Sequence, residues 1–333
     1  MSDLPYLLRS ENICRLEGGK ILIGDRRVFP FTRRFETCST VEEVALALKN
    51  MVTQGGGPLE VALTTLVHVA RSKASSLTID DLKDAARLLI ESRPTNTTMK
   101  RVLGELLTLL AEEKRNLAEH VEVQVSQILH SFSELYEQLG RLGSTLIGER
   151  SVVLTTCFAE HTFLLSLLYA QRDGKQVSVL VPETRPYLQG SRLTAPSLSE
   201  MGIDVSIITD GMGASCISQG NVDLYMTAAD LVCMDGTVVN KVGTLANALA
   251  AHAYHVPYHA FSISPDTTKK SASDVQMEMR PASEVTRCMD MPTTMEGIKA
   301  LYPAFDIIPP ALVTSIVCPK GILQPDQIQR SYT

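Results

Sequence analysis

The chain is poor in features that would betray a metal site, a membrane or a nucleic-acid surface. Its seven cysteines, at 14, 38, 157, 216, 233, 288 and 318, never recur at C-x-x-C spacing. That excludes the usual zinc ribbon, and the odd count leaves no complete disulfide framework. A reducing, cytoplasmic setting is the expectation. No apolar run reaches the ~18 residues that span a bilayer. The opening residues lack the charged-then-apolar pattern of a secretory leader, so neither a membrane nor an export route is expected. Long basic runs are missing too, and the net charge is −6, which argues against nucleic acid as a partner. No G-x-G-x-x-G follows a strand, so the dinucleotide fingerprint is absent. Internal repeats and low-complexity tracts are absent as well. Tryptophan is missing, and nothing functional follows from that.

What remains is an ordinary globular composition, 44% hydrophobic and 20% charged, over 333 residues, enough for two domains. Residues 20–37 alternate and read as two or three short strands with Gly24-Asp25 as a turn. Ser39-Thr40 then caps a helix over 41–52. Gln54-Gly55-Gly56-Gly57-Pro58 interrupts it. Such a glycine run before a helix either presents backbone amides to an anion or simply turns the chain. Further helices are expected at 58–72, 79–92 and 97–114. Pro94 ends the second of these at Arg93, whose planar guanidinium suits a phosphate or plain solvent. Apolar residues from Leu117 to Leu146 recur at spacings of three and four, the seam of one long helix that joins two halves or supports a dimer.

From residue 150 the pattern changes to strands at 151–156, 176–181, 204–208, 222–228 and 257–263. They alternate with helices at 160–172, 190–202, 212–219 and 241–255 and a last one near 309–317. The fold class expected is α/β: a C-terminal doubly wound, Rossmann-like parallel sheet and a smaller, mainly helical N-terminal domain carrying a short β-sheet. The domain boundaries follow as 1–116, a connecting helix at 117–147, and 148–333. Residues 264–275 are the polar loop long enough to move.

Three groups stand where such sheets bind ligands, beyond the carboxyl ends of the strands. Cys157 lies between a strand and a helix. There the helix dipole favours the thiolate, although a small apolar residue packed under a turn is the plainer reading. Asp230 ends an apolar run, so partial desolvation is expected to raise its pKa and fit it for general-acid work; a turn aspartate is the alternative. Asn240 and Lys241 fall at or near a helix start, where lysine opposes the dipole unless it has a partner. A polar loop, Glu183-Thr-Arg-Pro-Tyr-Leu-Gln-Gly-Ser-Arg-Leu-Thr-Ala195, follows the second strand and faces the same edge.

That loop resembles the E-T-R-P-x-x-Q-G-x-R-L-T-A signature of methylthioribose-1-phosphate isomerases. Their superfamily also holds ribose-1,5-bisphosphate isomerases and subunits of translation initiation factor 2B. The resemblance runs nearly end to end. Arg93-Pro94-Thr95 is similar to the family's R-P-T, Cys157 to its T-x-C, Asp230 to its G-A-D, residues 239–244 to its N-K-I-G-T, and 302–309 to its Y-N-P-A-F-D-x-x-P. It implies an aldose–ketose isomerase of methionine salvage, acting on a C5-modified ribose 1-phosphate as a homodimer without metal or organic cofactor. Cys157 and Asp230 would be catalytic. Gly55, Gly56, Gly57, Arg93, Gln189, Asn240 and Lys241 would bind the sugar phosphate. Three positions depart from the pattern. R-G-A-P has lost its arginine to Gln54. T-H-C-N-x-G reads Thr155-Thr-Cys-Phe-Ala-Glu160, where Phe158 is apolar and the negative charge of Glu160 is expected to raise the pKa of the thiol, and G-A-D-R reads Ala228-Ala-Asp-Leu231. One charge-assisted hydrogen bond is worth about 1.5–3 kcal/mol, so the lost arginine weakens phosphate binding by roughly one to two orders of magnitude. A non-catalytic assembly protein, like the initiation-factor subunits, is the alternative reading.

Overall fold

The computed structural model describes residues 4–94, 96–113 and 116–333. Two compact units divide it, Met1–Glu134 and Leu135–Thr333.

The first unit opens with a short helix, α1 (Ser10–Ile13), and an antiparallel sheet of β1 (Cys14–Glu17), β2 (Lys20–Gly24) and β3 (Phe35–Cys38). Gly18 and Gly19, with φ of +57° and +72°, form the two-residue hairpin turn that matches strand twist. The turn expected at Gly24-Asp25 is therefore misplaced. Gly24 still pairs within β2, where an added Cβ would collide with the Asn12 carbonyl oxygen. Helices follow as α2 (Val41–Lys49), α3 (Gly57–Lys73), α4 (Ile79–Ser92), α5 (Thr97–Leu110) and the first part of α6 (Leu117–Ser144). Thr40 accepts the Glu43 amide at 3.2 Å, and Thr78 and Asp81 form a reciprocal capping box. Such caps contribute on the order of 1 kcal/mol each. Val44, Leu48, Leu63, Leu66, Leu82, Leu89 and Leu103 are fully buried and form the core that the helical periodicity predicts. Thr95 of the R-P-T motif, and residue 114 at the expected end of α5, lie outside the described residues.

In chain order the second unit begins with β4 (Arg150–Leu154), α7 (Glu160–Arg172), β5 (Gln176–Pro182), α8 (Ala195–Glu200), β6 (Asp204–Ile208), α9 (Gly213–Ser218) and β7 (Leu224–Ala228). It continues with β8 (Leu231–Val232), β9 (Val238–Lys241), α10 (Thr244–Ala253), β10 (Tyr258–Phe261), β11 (Arg287–Cys288), β12 (Met291–Pro292), β13 (Phe305–Ile308), β14 (Ser315–Cys318), β15 (Gly321–Leu323) and α11 (Ile328–Tyr332). Seven strands form one sheet in the order β15-β14-β10-β7-β4-β5-β6, parallel except for the β14–β15 pair. A smaller antiparallel sheet, β13-β9-β8, stands beside it. The end of α6 approaches α7 through two glycines. A Cβ on Gly140 would meet Leu165, and one on Gly143 would strike Ser166 and the Phe261 ring.

One expectation fails here. The helix near 309–317 is instead a short turn at Pro310–Leu312 followed by β14, whose four residues are all buried beside β10. A short apolar run reads equally as buried strand or helix, and pairing across the sheet decides it. In the polar loop 264–275, Asp266 donates a backbone bond to Val232, and Lys269 and Lys270 accept from Met234 and Asp235, at 2.9–3.0 Å.

Candidate active site

Cys157 and Asp230 follow adjacent central strands. Leu154 pairs with Tyr225 in the β4–β7 register, so both chains leave the sheet at the same edge. The strand order reverses across this pair: β5 and β6 lie on one side of β4, and β7, β10 and β14 on the other. Below the edge runs a buried polar ladder. The Thr156 hydroxyl bonds Tyr225 at 2.6 Å, Thr227 bonds Tyr258 at 2.9 Å, and the two tyrosine rings stack at 4.6 Å. These pairs satisfy the buried hydroxyls and stiffen the strands that carry the site.

The backbone at Cys157 is held in the left-handed region, φ +67°. Its amide donates to Thr184 Oγ1 at 3.1 Å, and its carbonyl accepts from the Thr194 hydroxyl. Both threonines belong to the signature loop that follows β5. Asp210 anchors that loop by accepting the Thr184 and Arg185 amides, each at 2.7 Å. Gly190 lies so close to the Pro182 carbonyl that no Cβ fits. Glycine is therefore required there, and the neighbouring Gln189 is buried against the same edge. Thr184 and Thr194 went unremarked in the sequence, although they sit inside the signature.

Burial opposes the thiolate that a helix end would favour at Cys157. Burial pushes the thiol from 9.0 up to about 12; Lys241 and the Phe158 amide pull it down, while Asp230 and Glu160 push it further up. A helix end contributes ~0.3–1 kcal/mol, less than one pKa unit, and cannot offset that. The desolvation expected at Asp230 also fails: its residue is exposed. β7 ends at Ala228, so Asp230 stands two residues beyond the apolar strand. Its amide donates to the Val239 carbonyl at 2.9 Å, which brings it beside β9.

Asn240 and Lys241 lie near the start of α10, as expected, but on the strand β9 that ends just before it. The N-terminus of α10 is already satisfied, because Asp306 accepts the Gly243 and Leu245 amides at 2.8 and 2.9 Å. Asn240 Nδ2 donates to Thr244 Oγ1 at 3.0 Å. Lys241 is buried with its Nζ 3.5 Å from the Tyr302 hydroxyl and 5.0 Å from the Phe305 ring centre. The sequence reading passed over Tyr302 because its role depends on β13 pairing with β9. The charges of Lys241, Asp230 and Glu160 all act on the Cys157 thiol, while Gln189 is buried on the loop after β5 and Asn240 is buried beside Lys241 on β9.

Gly55, Gly56, Gly57 and Arg93 belong to the first unit. Gly55 has φ +61°, and Gly57 leaves no room for a Cβ against Thr53. The Gly57 amide donates to the Gln54 carbonyl at 3.1 Å, so one of the amides expected to face an anion is used inside the loop. Arg26, 2% exposed, donates to the same carbonyl at 2.6 Å and braces the loop from beneath. Arg93 caps α4, and its Nη1 lies 3.0 Å from the Met51 sulfur.

Known proteins resemble this chain over nearly its whole length. Residues 58–325 match the Initiation factor 2 subunit family. The methylthioribose-1-phosphate isomerase of Thermotoga petrophila is 33% identical over 321 residues, covering 92% of this chain and 93% of that protein. The same-named protein of Thermotoga neapolitana is 34% identical over 320 residues, with coverage of 92% and 93%. Among solved structures, 5-methylthioribose 1-phosphate isomerase from Pyrococcus horikoshii superposes with a TM-score of 0.84 at 28% identity, covering 96% of this chain and 94% of that one. The delta subunit of translation initiation factor eIF-2B from A. fulgidus gives 0.81 at 27% identity, with coverage of 95% and 96%.

Proposed function

The chain belongs to the Initiation factor 2 subunit family, and from that premise we propose that it is an aldose–ketose isomerase converting a C5-modified ribose 1-phosphate, such as 5-methylthioribose 1-phosphate, to the ribulose 1-phosphate. The observation that carries this reading is the convergence of Cys157, Asp230 and Lys241 at the carboxyl edge of β4 and β7. The reversal of strand order there supports a doubly wound, Rossmann-like sheet with its ligand crevice at that point. The non-catalytic alternative is not favoured, since relatives at 33–34% identity over 92% of the chain are named as isomerases.

The substrate is a closed furanose whose C1 carries phosphate, so ring opening and hydrogen transfer are linked. The C1–O4 bond breaks with its electrons passing to O4, which takes a proton. The C2 hydrogen moves to C1 with its electron pair, and the C2 hydroxyl loses its proton as the carbonyl forms. Bound substrate covers the exposed Asp230 carboxyl, and in that covered state Asp230 is the proton donor to O4. Cys157 stabilises the transition state or shuttles the proton between the substrate oxygens. Gln189, Asn240 and Lys241 hold sugar hydroxyls and phosphate. For the first unit the proposal extends to anion binding by Gly55–Gly57 and Arg93, on resemblance alone. A cytoplasmic homodimer belongs to the same proposal; among the described residues no helix is long and apolar enough to cross a membrane.

The test is NMR of the purified protein with a panel of C5-modified ribose 1-phosphates. Ketose 1-phosphate forming from at least one member supports the reading. No turnover of any member overturns it.

A further inference from the structure

Lys241 carries a buried positive charge with no negative partner. It is 7% exposed, and among the described residues its side chain forms no ion pair with a carboxylate. The acids on the neighbouring segments are engaged elsewhere. Glu278 and Glu284 pair with Arg280 at 3.3 and 3.0 Å, and Asp306 accepts the Gly243 and Leu245 amides. What surrounds the ammonium is neutral: the Tyr302 hydroxyl at 3.5 Å, the Phe305 ring centre at 5.0 Å and the Tyr302 ring centre at 5.7 Å. Withdrawing an ammonium from water is costly, and a long hydroxyl contact with two ring faces offsets only part of that cost. A lysine chain left to itself extends its head to water. Held here, the charge is set for an anion that arrives from outside the chain.

Tyr302 reaches this place on the excursion between β10 and β13. The Arg280 amide donates to the Tyr302 carbonyl at 2.9 Å, and the Val242 amide to that of Ala304 at 3.1 Å. Phe305 pairs with Lys241 in the β13–β9 register. Tyr302 is 4% exposed and its neighbour Leu301 82%, so the tyrosine is the one turned inward. Counting back from P-A-F-D, Tyr302 takes the place of the asparagine in the family pattern, a residue with neither a ring face nor a phenol. Resting on the isomerase reading, we propose that Tyr302 is a positioning residue for Lys241: its hydroxyl and ring hold the ammonium in place for the phosphate of the substrate. That phosphate keeps its charge through ring opening and hydrogen transfer, so the contact stabilises bound substrate and transition state alike. Its loss therefore falls on KM and not on kcat.

The experiment measures kcat and KM for 5-methylthioribose 1-phosphate in the full chain, Tyr302→Phe, Tyr302→Leu, Lys241→Gln and the two double variants, with thermal unfolding of each. Tyr302→Phe keeps the ring and should raise KM about fivefold. Tyr302→Leu removes ring and hydroxyl and should raise it roughly ten- to thirtyfold, with kcat of both variants within about threefold of the parent. With Lys241→Gln already in place, neither change should alter kcat/KM by more than about twofold, because the group that Tyr302 acts through is gone. A tyrosine with a purely structural role would cost the same in both backgrounds. Should Tyr302→Leu unfold early, Tyr302→Phe, which preserves the packing of the ring, carries the comparison. If the parent turns over and Tyr302→Phe keeps KM within about twofold of it, or if the loss is the same with and without Lys241, the proposal is wrong while the isomerase reading stands. If the parent shows no turnover, the isomerase reading itself fails, and this inference with it.

Discussion

At the scale of single residues, burial outweighs local sequence context. The position of Cys157 at a strand–helix junction was legible, because the β-rich run through Leu154 and the helical run from Glu160 are both strong patterns. Its ionisation was not. Burial sets most of it, and the opposing charges of Lys241 and Asp230, more than seventy positions away in the sequence, modify it. Asp230 illustrates the same limit in reverse: an apolar run before it promised a dry carboxyl, yet two residues of overshoot bring it to the surface. His259 gives a sharper test of burial. It lies on β10, 6% exposed, with Nδ1 2.8 Å from Ser315 Oγ. Burial pushes its pKa from 6.5 down to about 4. Between those values the unfolded chain binds more protons than the native one, so native stability rises with pH across that window and falls as pH drops toward 4. The shift corresponds to about 3 kcal/mol. Chemical denaturation at pH 4.5 and pH 7 should therefore show a smaller pH dependence in His259→Gln than in the parent; parallel profiles would contradict the buried neutral imidazole.

At the scale of elements, long amphipathic helices and central parallel strands were legible, and short strands on the second sheet were not. α4 and α7 begin and end where the caps and periodicity put them. β8, β9 and β13 escaped because two to four residues carry no readable period, and because Asn240 and Lys241 look like helix-start residues until β13 pairs alongside. β14 was read as a helix for want of its partner. The signature loop after β5 was visible as a motif. Its mechanical role, gripping the Cys157 backbone through Thr184 and Thr194, required coordinates. That role makes Gly190 a sensitive point. Gly190→Ala drives a methyl into the Pro182 carbonyl and should destabilise the chain by about 1–3 kcal/mol while lowering kcat. Thermal unfolding and turnover measured together check this, and a variant with unchanged values of both would show that the loop is looser than described.

At the scale of the whole molecule, the resemblance running nearly end to end was recognisable from a few dense motifs, and membership of the family followed. Substrate identity was less legible, because Gln54, Glu160 and Leu231 each depart from the family pattern within a motif that the resemblance assigns to the ligand. Arg26 and the Gln54 carbonyl show how the glycine loop keeps its shape after losing the family's arginine. The second unit rests on a seven-stranded sheet whose central pair, β4 and β7, presents both proposed catalytic groups. The most direct measurement is the rate of 5-methylthioribose 1-phosphate isomerisation, followed by NMR, for the parent, Cys157→Ser and Asp230→Asn, each first shown to unfold cooperatively near the parent's temperature. The account predicts ketose formation by the parent and a loss of roughly 10³-fold or more in each variant. Parent-like rates in both folded variants would contradict it.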